Sequence, residues 1–292
     1  MEYIIENDLL KVTVTTFGAQ VKSVVRKEDG VEHMWQADPA VWGYHAPIMF
    51  PHAGRVVENT IEAKGQKFTS KQHGFARTME HTFVEQTENS VVLELTENPQ
   101  TLKVWPYRFR LQSIFTLEKD VLHHTLAVEN LDEDDLYFGI GYHPAYAIPF
   151  DGEHTVQDYE LRFDSMQSPL CVSCMPNGLV TGECYSLGNN ISSIPLTEDL
   201  FANDSHAMVN LTSKTLGVYE KDTGRAVVCG ISGFPYTLIW SMPGELKFVC
   251  IEPWHSLPSL EGGSTRWEEK PAAACLAPGE SWNTTMSTAF VR

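Results

Sequence analysis

Apolar and polar residues alternate with a period of two along much of the chain. The pattern is clearest in residues 108–117, and it resumes after a turn at residues 118–120. A period of two is that of a β-strand with one buried face, so the two segments predict a hairpin. The apolar positions that define the buried faces are Phe109, Leu111, Phe115, Leu117, Leu122, Leu126 and Val128.

Turn residues separate similar segments elsewhere in the chain. Further hairpins are predicted at residues 60–69, 81–96 and 216–231, and further strands at residues 11–16, 236–240, 246–251 and 282–291. Only residues 37–42 and 100–105 suggest single helical turns, which are too short for a bundle or a βαβ crossover. The chain is therefore predicted to be all-β, with antiparallel sheets packed face to face, and the absence of a linker predicts one domain over residues 1–292.

Composition and charge narrow the class of partner. Hydrophobic residues make up 42% of the sequence and no segment is of low complexity, so the chain is expected to be globular throughout. The net charge of -17 repels phosphate backbones and anionic lipid surfaces, and neither nucleic acid nor membrane is expected as a partner. The first residues lack the pattern of a signal peptide, and we expect a cytoplasmic protein.

Six cysteines in such a chain are interpreted as reduced thiols. Cys171 and Cys174 have a spacing found in zinc and redox sites, but only Cys184 lies nearby and no second pair completes a tetrahedral set. A metal or redox role for this pair is the minor alternative.

Four short clusters place ionisable residues beside glycine or proline, where strands end and functional groups are commonly presented. They are Pro51-His52-Ala53-Gly54-Arg55, Gln72-His73-Gly74-Phe75-Ala76-Arg77, Gly141-Tyr142-His143-Pro144 and Cys250-Ile251-Glu252-Pro253-Trp254. Each cluster taken singly is a weak signal. Their order along the chain is far more specific.

In that order the clusters resemble the aldose 1-epimerase (galactose mutarotase-like) family, in its LacX-like branch, over nearly the full chain. The resemblance implies a large twisted antiparallel β-sandwich with a sugar-binding cleft on its concave face. It also implies a small aldose sugar as the ligand, and neither a metal nor an organic cofactor.

The resemblance also carries residue roles. His143 matches the family's general acid and Glu252 its general base. Arg55 and His73 match positions that contact the sugar, and Asp204 matches a further sugar-binding acid. An acid and a base suit the interconversion of anomers, because opening a hemiacetal removes a proton from the anomeric hydroxyl while the ring oxygen gains one.

Two more residues complete the expected site. Trp254 is the first candidate for an aromatic face against the sugar ring, ahead of Phe75, Trp35 and Tyr142. Arg77 lies in a stretch shared with epimerases of hexose 6-phosphates, where the arginine can help to bind phosphate.

Structural interpretations compete with these roles. His143 on its own would be an ordinary core histidine, and Glu252 could form a buried salt bridge with Arg55 or Arg77. Three functions therefore stay open: a mutarotase acting on a free hexose such as glucose or galactose, a hexose-6-phosphate 1-epimerase, and a carbohydrate-binding protein without turnover. The preferred sugar and a homodimeric state are not decided by the sequence.

Overall fold

Strands make up nearly half of the chain, and the structure, a computed structural model, describes all residues from Met1 to Arg292. In chain order the strands are β1 (Glu2–Glu6), β2 (Leu10–Thr15), β3 (Gln20–Arg26), β4 (Ile48–Met49), β5 (Thr60–Ala63), β6 (Gln66–Thr69), β7 (Thr82–Gln86), β8 (Ser90–Thr96), β9 (Phe109–Glu118), β10 (Val121–Asn130), β11 (Leu136–Phe138), β12 (Gly141–Tyr142), β13 (Ala145–Ala147), β14 (Tyr159–Gln167), β15 (Leu170–Val172), β16 (Cys184–Ser186), β17 (Ile191–Pro195), β18 (His206–Met208), β19 (Thr215–Glu220), β20 (Ala226–Gly230), β21 (Tyr236–Trp240), β22 (Phe248–Trp254), β23 (Ala274–Leu276) and β24 (Ser281–Val291).

Helical structure is limited to short 3-10 turns between strands. They are Val57–Asn59, Ala76–Thr78, Thr101–Lys103, Val156–Asp158, Glu198–Phe201 and Trp267–Glu269. None of them has the length or the apolar character needed to cross a membrane.

Two large sheets dominate the fold. One has nine strands in the order β17-β14-β19-β20-β24-β10-β9-β8-β7, and the other has eight, in the order β16-β15-β18-β21-β22-β12-β4 with β13 also paired to β22. Three smaller sheets are β1-β2-β3, β5-β6 and β11-β23. Every strand pair in them is antiparallel. The predicted all-β, antiparallel fold is confirmed.

The predicted hairpins are present. Strands β9 and β10 pair from Phe109 and Asn130 to Glu118 and Val121, and every second residue along them is buried, as the alternation requires. The pairs β5–β6, β7–β8 and β19–β20 form the other three hairpins. Residues 100–105 contain a 3-10 turn as expected, whereas residues 37–42 form only a hydrogen-bonded turn.

The two large sheets face each other across one hydrophobic core. The hydroxyl of Tyr142, in the eight-stranded sheet, lies 2.8 Å from the carbonyl oxygen of His124 and 2.9 Å from that of Thr284, both in the nine-stranded sheet. The hydroxyl of Tyr146 similarly lies 3.1 Å from Sγ of Cys229. Buried tyrosines therefore place polar groups where the facing sheet offers partners.

Strand β22 is buried on both of its faces. Val249 and Ile251 pack in the main core, whereas Phe248, Cys250 and Trp254 belong to small clusters on the opposite face. Because side chains alternate across a strand, Glu252 also lies on the face that points away from the core. This alternation places a carboxyl group on the outer side of the eight-stranded sheet.

Candidate active site

A cleft of about 330 Å³ opens on the outer face of the eight-stranded sheet. Strands β21 and β22 line it with Leu238, Trp240, Glu252 and Trp254. The loops around it contribute Trp42, Tyr44, Gly54, Gln72, His73, Arg77, His143, Cys174, Gly178, Asp204, Ser205, Met242 and Pro258. The cleft thus brings together six of the seven residues selected from the sequence, and Arg55 is the one that does not line it.

Glu252 lies within β22, opposite Leu238 of β21, and only 1% of its surface is exposed. Its Oε2 atom is buried and has no hydrogen-bond partner. Burial raises the pKa of this carboxyl group well above its usual range, and the charge of Asp204 acts in the same direction. An unpaired carboxylate would be costly here, so the group holds a proton far more readily than an exposed glutamate.

His143 follows directly after β12. Because Tyr142 points into the core, the next side chain along the chain points into the cleft. Its Nε2 atom lies 3.4 Å from Oε2 of Glu252 without forming an aligned hydrogen bond, and its ring stacks on Trp42 with the centroids 5.0 Å apart. Burial, helped by the charge of Arg77, lowers the pKa of His143 far below its usual value. Both members of the pair therefore favour their uncharged forms.

His73 is held in a defined tautomer. The backbone N–H of Gly54 donates to its Nδ1 atom at 3.0 Å, so the ring proton resides on Nε2, which lies 3.2 Å from the side-chain amide of Gln72. Burial lowers the pKa of His73 well below its usual value, which keeps the ring neutral. The backbone at His73 has a φ of 66°, a strained value that clusters at functional sites. The residue therefore carries its N–H on the nitrogen that faces Gln72 in the cleft wall.

Arg77 and Asp204 bring formal charges to the cleft. The Arg77 guanidinium lies 5.0 Å from the ring centre of Tyr44, and its Nη2 atom donates to the Gln72 carbonyl at 3.0 Å. Its Nε atom is buried without a partner. Asp204 is exposed at the mouth and has a φ of 77°. The two residues place one cation and one anion on the cleft wall.

Trp254 and Arg55 occupy very different positions. The Trp254 indole lines the cleft and donates from Nε1 to the Tyr142 carbonyl at 3.2 Å. Its ring lies against Gly141, where a Cβ atom would come within 2.7 Å of the indole, so only glycine fits. Arg55 is exposed, and its side-chain stem packs against Gly178, a residue of the cleft wall. Its role as a sugar contact stays a prediction.

Comparison with known proteins identifies the family of the chain. A model of the family described as aldose 1-epimerase matches residues 1–288. This chain belongs to the aldose 1-epimerase family. Protein LacX of Lactococcus lactis subsp. lactis, in its plasmid form, is 31% identical over 283 residues, which is 94% of each chain.

Solved structures of the same kind are similar over nearly the whole chain. The galactose mutarotase related enzyme from Lactobacillus acidophilus is 27% identical, with a TM-score of 0.95 over 100% of this chain and 98% of the other. A galactose mutarotase-like protein from Lactobacillus casei is 26% identical, with a TM-score of 0.91 over 99% of each chain. The large antiparallel β-sandwich of the galactose mutarotase-like type is confirmed.

Other cleft residues of this aldose 1-epimerase family member were missed by the sequence analysis. Trp42 and Trp240 both contact the His143 ring, at centroid distances of 5.0 and 5.5 Å. Trp240 lies two residues after Leu238 on a predicted strand and shares its face, but nothing in the sequence indicated that this face lines the cleft. No signal in residues 37–42 indicated that Trp42 packs over the histidine.

The three aromatic alternatives do not line the cleft. Phe75 packs in the main core, and Tyr142 reaches the opposite sheet. Trp35 supports the cleft from behind, since its Nε1 atom donates to the carbonyl of Trp42 at 2.8 Å.

Cysteines near the cleft form a poor metal site. Side-chain ligand atoms of His143, Cys250 and Glu252 lie within 4.8 Å of one another. Burial raises the pKa of Cys250 well above normal, which opposes the thiolate that a metal would need. Cys171 and Cys174 are free thiols, and burial raises their pKa values to about 12 and about 11. These values favour ordinary thiols.

Proposed function

We propose that the protein is an aldose 1-epimerase that interconverts the α and β anomers of a free hexose such as glucose or galactose. The observation that carries this proposal is the approach of Nε2 of His143 to Oε2 of Glu252, at 3.4 Å, in a cleft lined by tryptophans. An imidazole and a carboxyl group held together in this way form an acid and base pair.

The short distance suits this particular reaction. The two oxygens that exchange protons during ring opening, O1 and O5, are bonded to the same carbon, so the groups serving them must lie close together. The two carboxyl groups of glycosidases, by contrast, are roughly 5 Å or more apart. The pair therefore favours opening of a hemiacetal over cleavage of a glycosidic bond.

The pair needs one mobile proton to work. With a closed ring bound, the proton passes from Glu252 to His143, which donates it to O5 while the Glu252 carboxylate removes the proton from O1. After opening, Glu252 is protonated and His143 is neutral. Rotation about C1–C2 presents the other face of the aldehyde, and closure reverses both transfers without redox change or covalent intermediate.

Burial of the pair assists the opening step. The opening step starts from the charged state of His143 and Glu252 and ends in their neutral state. Because burial favours the neutral forms of both groups, the cleft lowers the energy of the opened state relative to the closed one. Each positioned proton transfer contributes about a hundredfold to ten-thousandfold in rate.

Neighbouring residues fit the task of holding a neutral sugar. His73 and Gln72 form a polar pair in the lining that can turn to a sugar hydroxyl, and the Asp204 carboxylate can accept from ring hydroxyls at the mouth. Trp42, Trp240 and Trp254 offer apolar surfaces to the C–H groups of a pyranose. Such positioning supports the orientation that acid and base catalysis requires.

The charge of the cleft favours a free sugar over a sugar phosphate. Arg77 is the one permanently charged cation in the lining, and it already lies over Tyr44 and donates to Gln72. The lining also carries two acidic groups, Asp204 and Glu252. A phosphate dianion would meet one partly engaged cation and the acidic Asp204, so we favour the unphosphorylated substrate.

Polarimetry tests the proposal. Freshly dissolved α-glucose and α-galactose should reach equilibrium rotation much faster with the purified protein, and His143→Ala should lose roughly a hundredfold or more of that rate. The matched control is His123→Ala, because His123 lies 3.9 Å from Glu118 in a second His–Glu pair outside the cleft. This variant should keep the wild-type rate.

Two outcomes would change the assignment. A wild-type protein that leaves mutarotation unchanged but is protected by sugar against thermal unfolding is a binding protein. Faster turnover of α-glucose 6-phosphate than of α-glucose would instead identify a sugar-phosphate epimerase.

A further inference from the structure

A second cavity of about 310 Å³ lies beside the cleft. Cys174, Asp204 and Ser205 line both spaces, so the two share a wall and meet at the mouth where Asp204 is exposed. We call this second space the side chamber. Its remaining lining residues are Ser173, Met175, Tyr185, Asn203 and His206.

The side chamber presents polar groups that the fold leaves unused. The side chains of Ser173, Asn203 and Ser205 line it and form no hydrogen bond to another residue. Hydroxyl and amide groups both donate and accept hydrogen bonds, which suits a ligand rich in hydroxyl groups.

An aromatic ring in the side chamber is held in place from behind. His206 donates from Nε2 to the Leu200 carbonyl at 2.6 Å, so its Nδ1 atom accepts from the hydroxyl of Tyr185 at 2.8 Å. Burial lowers the pKa of His206, which is consistent with this neutral tautomer. Tyr185 is 37% exposed, so a fixed ring remains accessible to a ligand. Such a ring can pack against the apolar side of a sugar.

The charge of the side chamber points to a neutral ligand. Asp204 is its one acidic residue and no lysine or arginine lines it, so an anionic ligand would be repelled. The chamber therefore combines unused hydroxyl and amide groups, one carboxylate and one fixed aromatic ring.

We propose that the side chamber binds the second sugar unit of a reducing disaccharide whose first unit occupies the catalytic cleft. This inference rests on the proposed function, because the first unit must place its anomeric carbon at His143 and Glu252. C1 of that unit must be free for the reaction, so the glycosidic bond uses one of its other hydroxyls.

Kinetics with a panel of disaccharides tests this inference. Mutarotation of lactose, cellobiose, maltose and melibiose is followed beside that of galactose and glucose, which samples linkages through O4 and O6. At least one disaccharide should have a lower KM than the monosaccharide at its reducing end. Tyr185→Ala should raise that KM roughly two- to tenfold and leave the monosaccharide kinetics unchanged. Tyr185→Phe keeps the ring and should have a smaller effect.

The outcomes separate this inference from the proposed function. If monosaccharides are turned over but every disaccharide has a higher KM than its reducing sugar, the side chamber is not a sugar subsite. An equal effect of Tyr185→Ala on both classes of substrate leads to the same conclusion. If no sugar is turned over, the proposed function fails. In that case calorimetric titration with each disaccharide tests the side chamber separately from catalysis. Binding that Tyr185→Ala weakens would support a sugar subsite there, and an absence of binding would overturn it.

Discussion

The chain buries two glutamates almost completely and surrounds them in opposite ways. Glu252 in the cleft and Glu220 at the end of β19 are 1% and 0% exposed. Oε2 of Glu252 has no hydrogen-bond partner. Glu220 accepts from Tyr159 and Thr223 and forms a two-atom contact with Arg225, at 2.7 and 2.9 Å. Equal burial thus accompanies very different hydrogen bonding.

The pKa values follow the partners of each carboxyl group. Burial pushes the pKa of Glu220 upward, but hydrogen bonds from Thr223, Tyr159 and Arg225 outweigh it and the pKa is lowered. For Glu252 burial and the charge of Asp204 outweigh the one opposing influence, a hydrogen bond with Trp254, and the pKa is raised. A buried carboxylate with full hydrogen bonding is a structural group, whereas one without partners can still exchange a proton.

A histidine accompanies each glutamate, and the contrast repeats. His154 lies 2.9 Å from Asp151 and 3.5 Å from Glu220, and the hydrogen bond to Asp151 raises its pKa, whereas burial lowers that of His143. Asp151, His154 and Glu220 are close enough to hold a metal ion. The Arg225 guanidinium already supplies the positive charge that a metal ion would bring, because it forms salt bridges with the carboxylates of Asp151 and Glu220. This cluster therefore requires no metal to balance its charge.

The largest effect is expected when each of these glutamates is replaced by glutamine. Glu252→Gln should lower the rate of mutarotation about a hundredfold to ten-thousandfold, because the amide cannot accept the proton from O1. Its free energy of unfolding should change little, since one uncharged polar group replaces another at the same buried position. Polarimetry and urea unfolding measure the two effects.

The matched variant Glu220→Gln should show the reverse pattern. It should lose about 1–3 kcal/mol in the free energy of unfolding, because charge-assisted hydrogen bonds are weakened, and keep its activity. Loss of activity in Glu220→Gln with wild-type stability would contradict the division between the two sites.

An effect of intermediate size is expected in the pH dependence of kcat/KM. When the His143–Glu252 pair takes up a second proton, no base remains and kcat/KM should fall. Because the pKa of His143 is lowered, this fall on the acid side, the acid limb, should occur well below pH 6.5, the usual pKa of histidine. Because the charge of Arg77 helps to lower the pKa of His143, Arg77→Gln should move this limb to higher pH. Circular dichroism over the same range checks that the fold persists. An acid limb that does not move would show that Arg77 has no electrostatic effect on the pair.

The smallest effect concerns His154. A histidine whose pKa is raised in the folded protein stabilises it fully below the unfolded value of 6.5, and this contribution is lost as the pH rises through the folded value. Thermal unfolding of His154→Asn should therefore differ from wild type at pH 5.5 and converge with it at pH 8.5. The same difference at both pH values would rule out titration of His154 as its cause.

Much of the fold was predictable because its strands are amphipathic and their turns are short. Strands β9 and β10 each have one face in the core, so apolar and polar residues alternate in the sequence as buried and less buried positions alternate in the strands. Strand β22 was predicted to end at Ile251, yet it continues through Pro253 to Trp254. On one flank β13 pairs up to Cys250 and β12 begins at Trp254, so Pro253 has no strand partner there, which is where proline is tolerated.

The site was predictable only in part. His143 and Glu252 have ordinary structural interpretations when taken singly, and it was the order of motifs that indicated their pairing. Trp42 was not predictable, because its position depends on packing against Trp240 and Phe248 from distant strands. The strained backbone at His73 and the side chamber likewise depend on contacts between loops.

The contact of Tyr142 with two carbonyl groups of the facing sheet has a consequence for its neighbour in sequence. One residue of β12 anchors the interior of the sandwich, and the next is His143. The imidazole is therefore attached to a strand that contacts both large sheets, and we expect its position to persist until the sandwich unfolds. The loops that supply most of the cleft lining can then vary in sequence, and with it in sugar preference, without displacing the reacting groups.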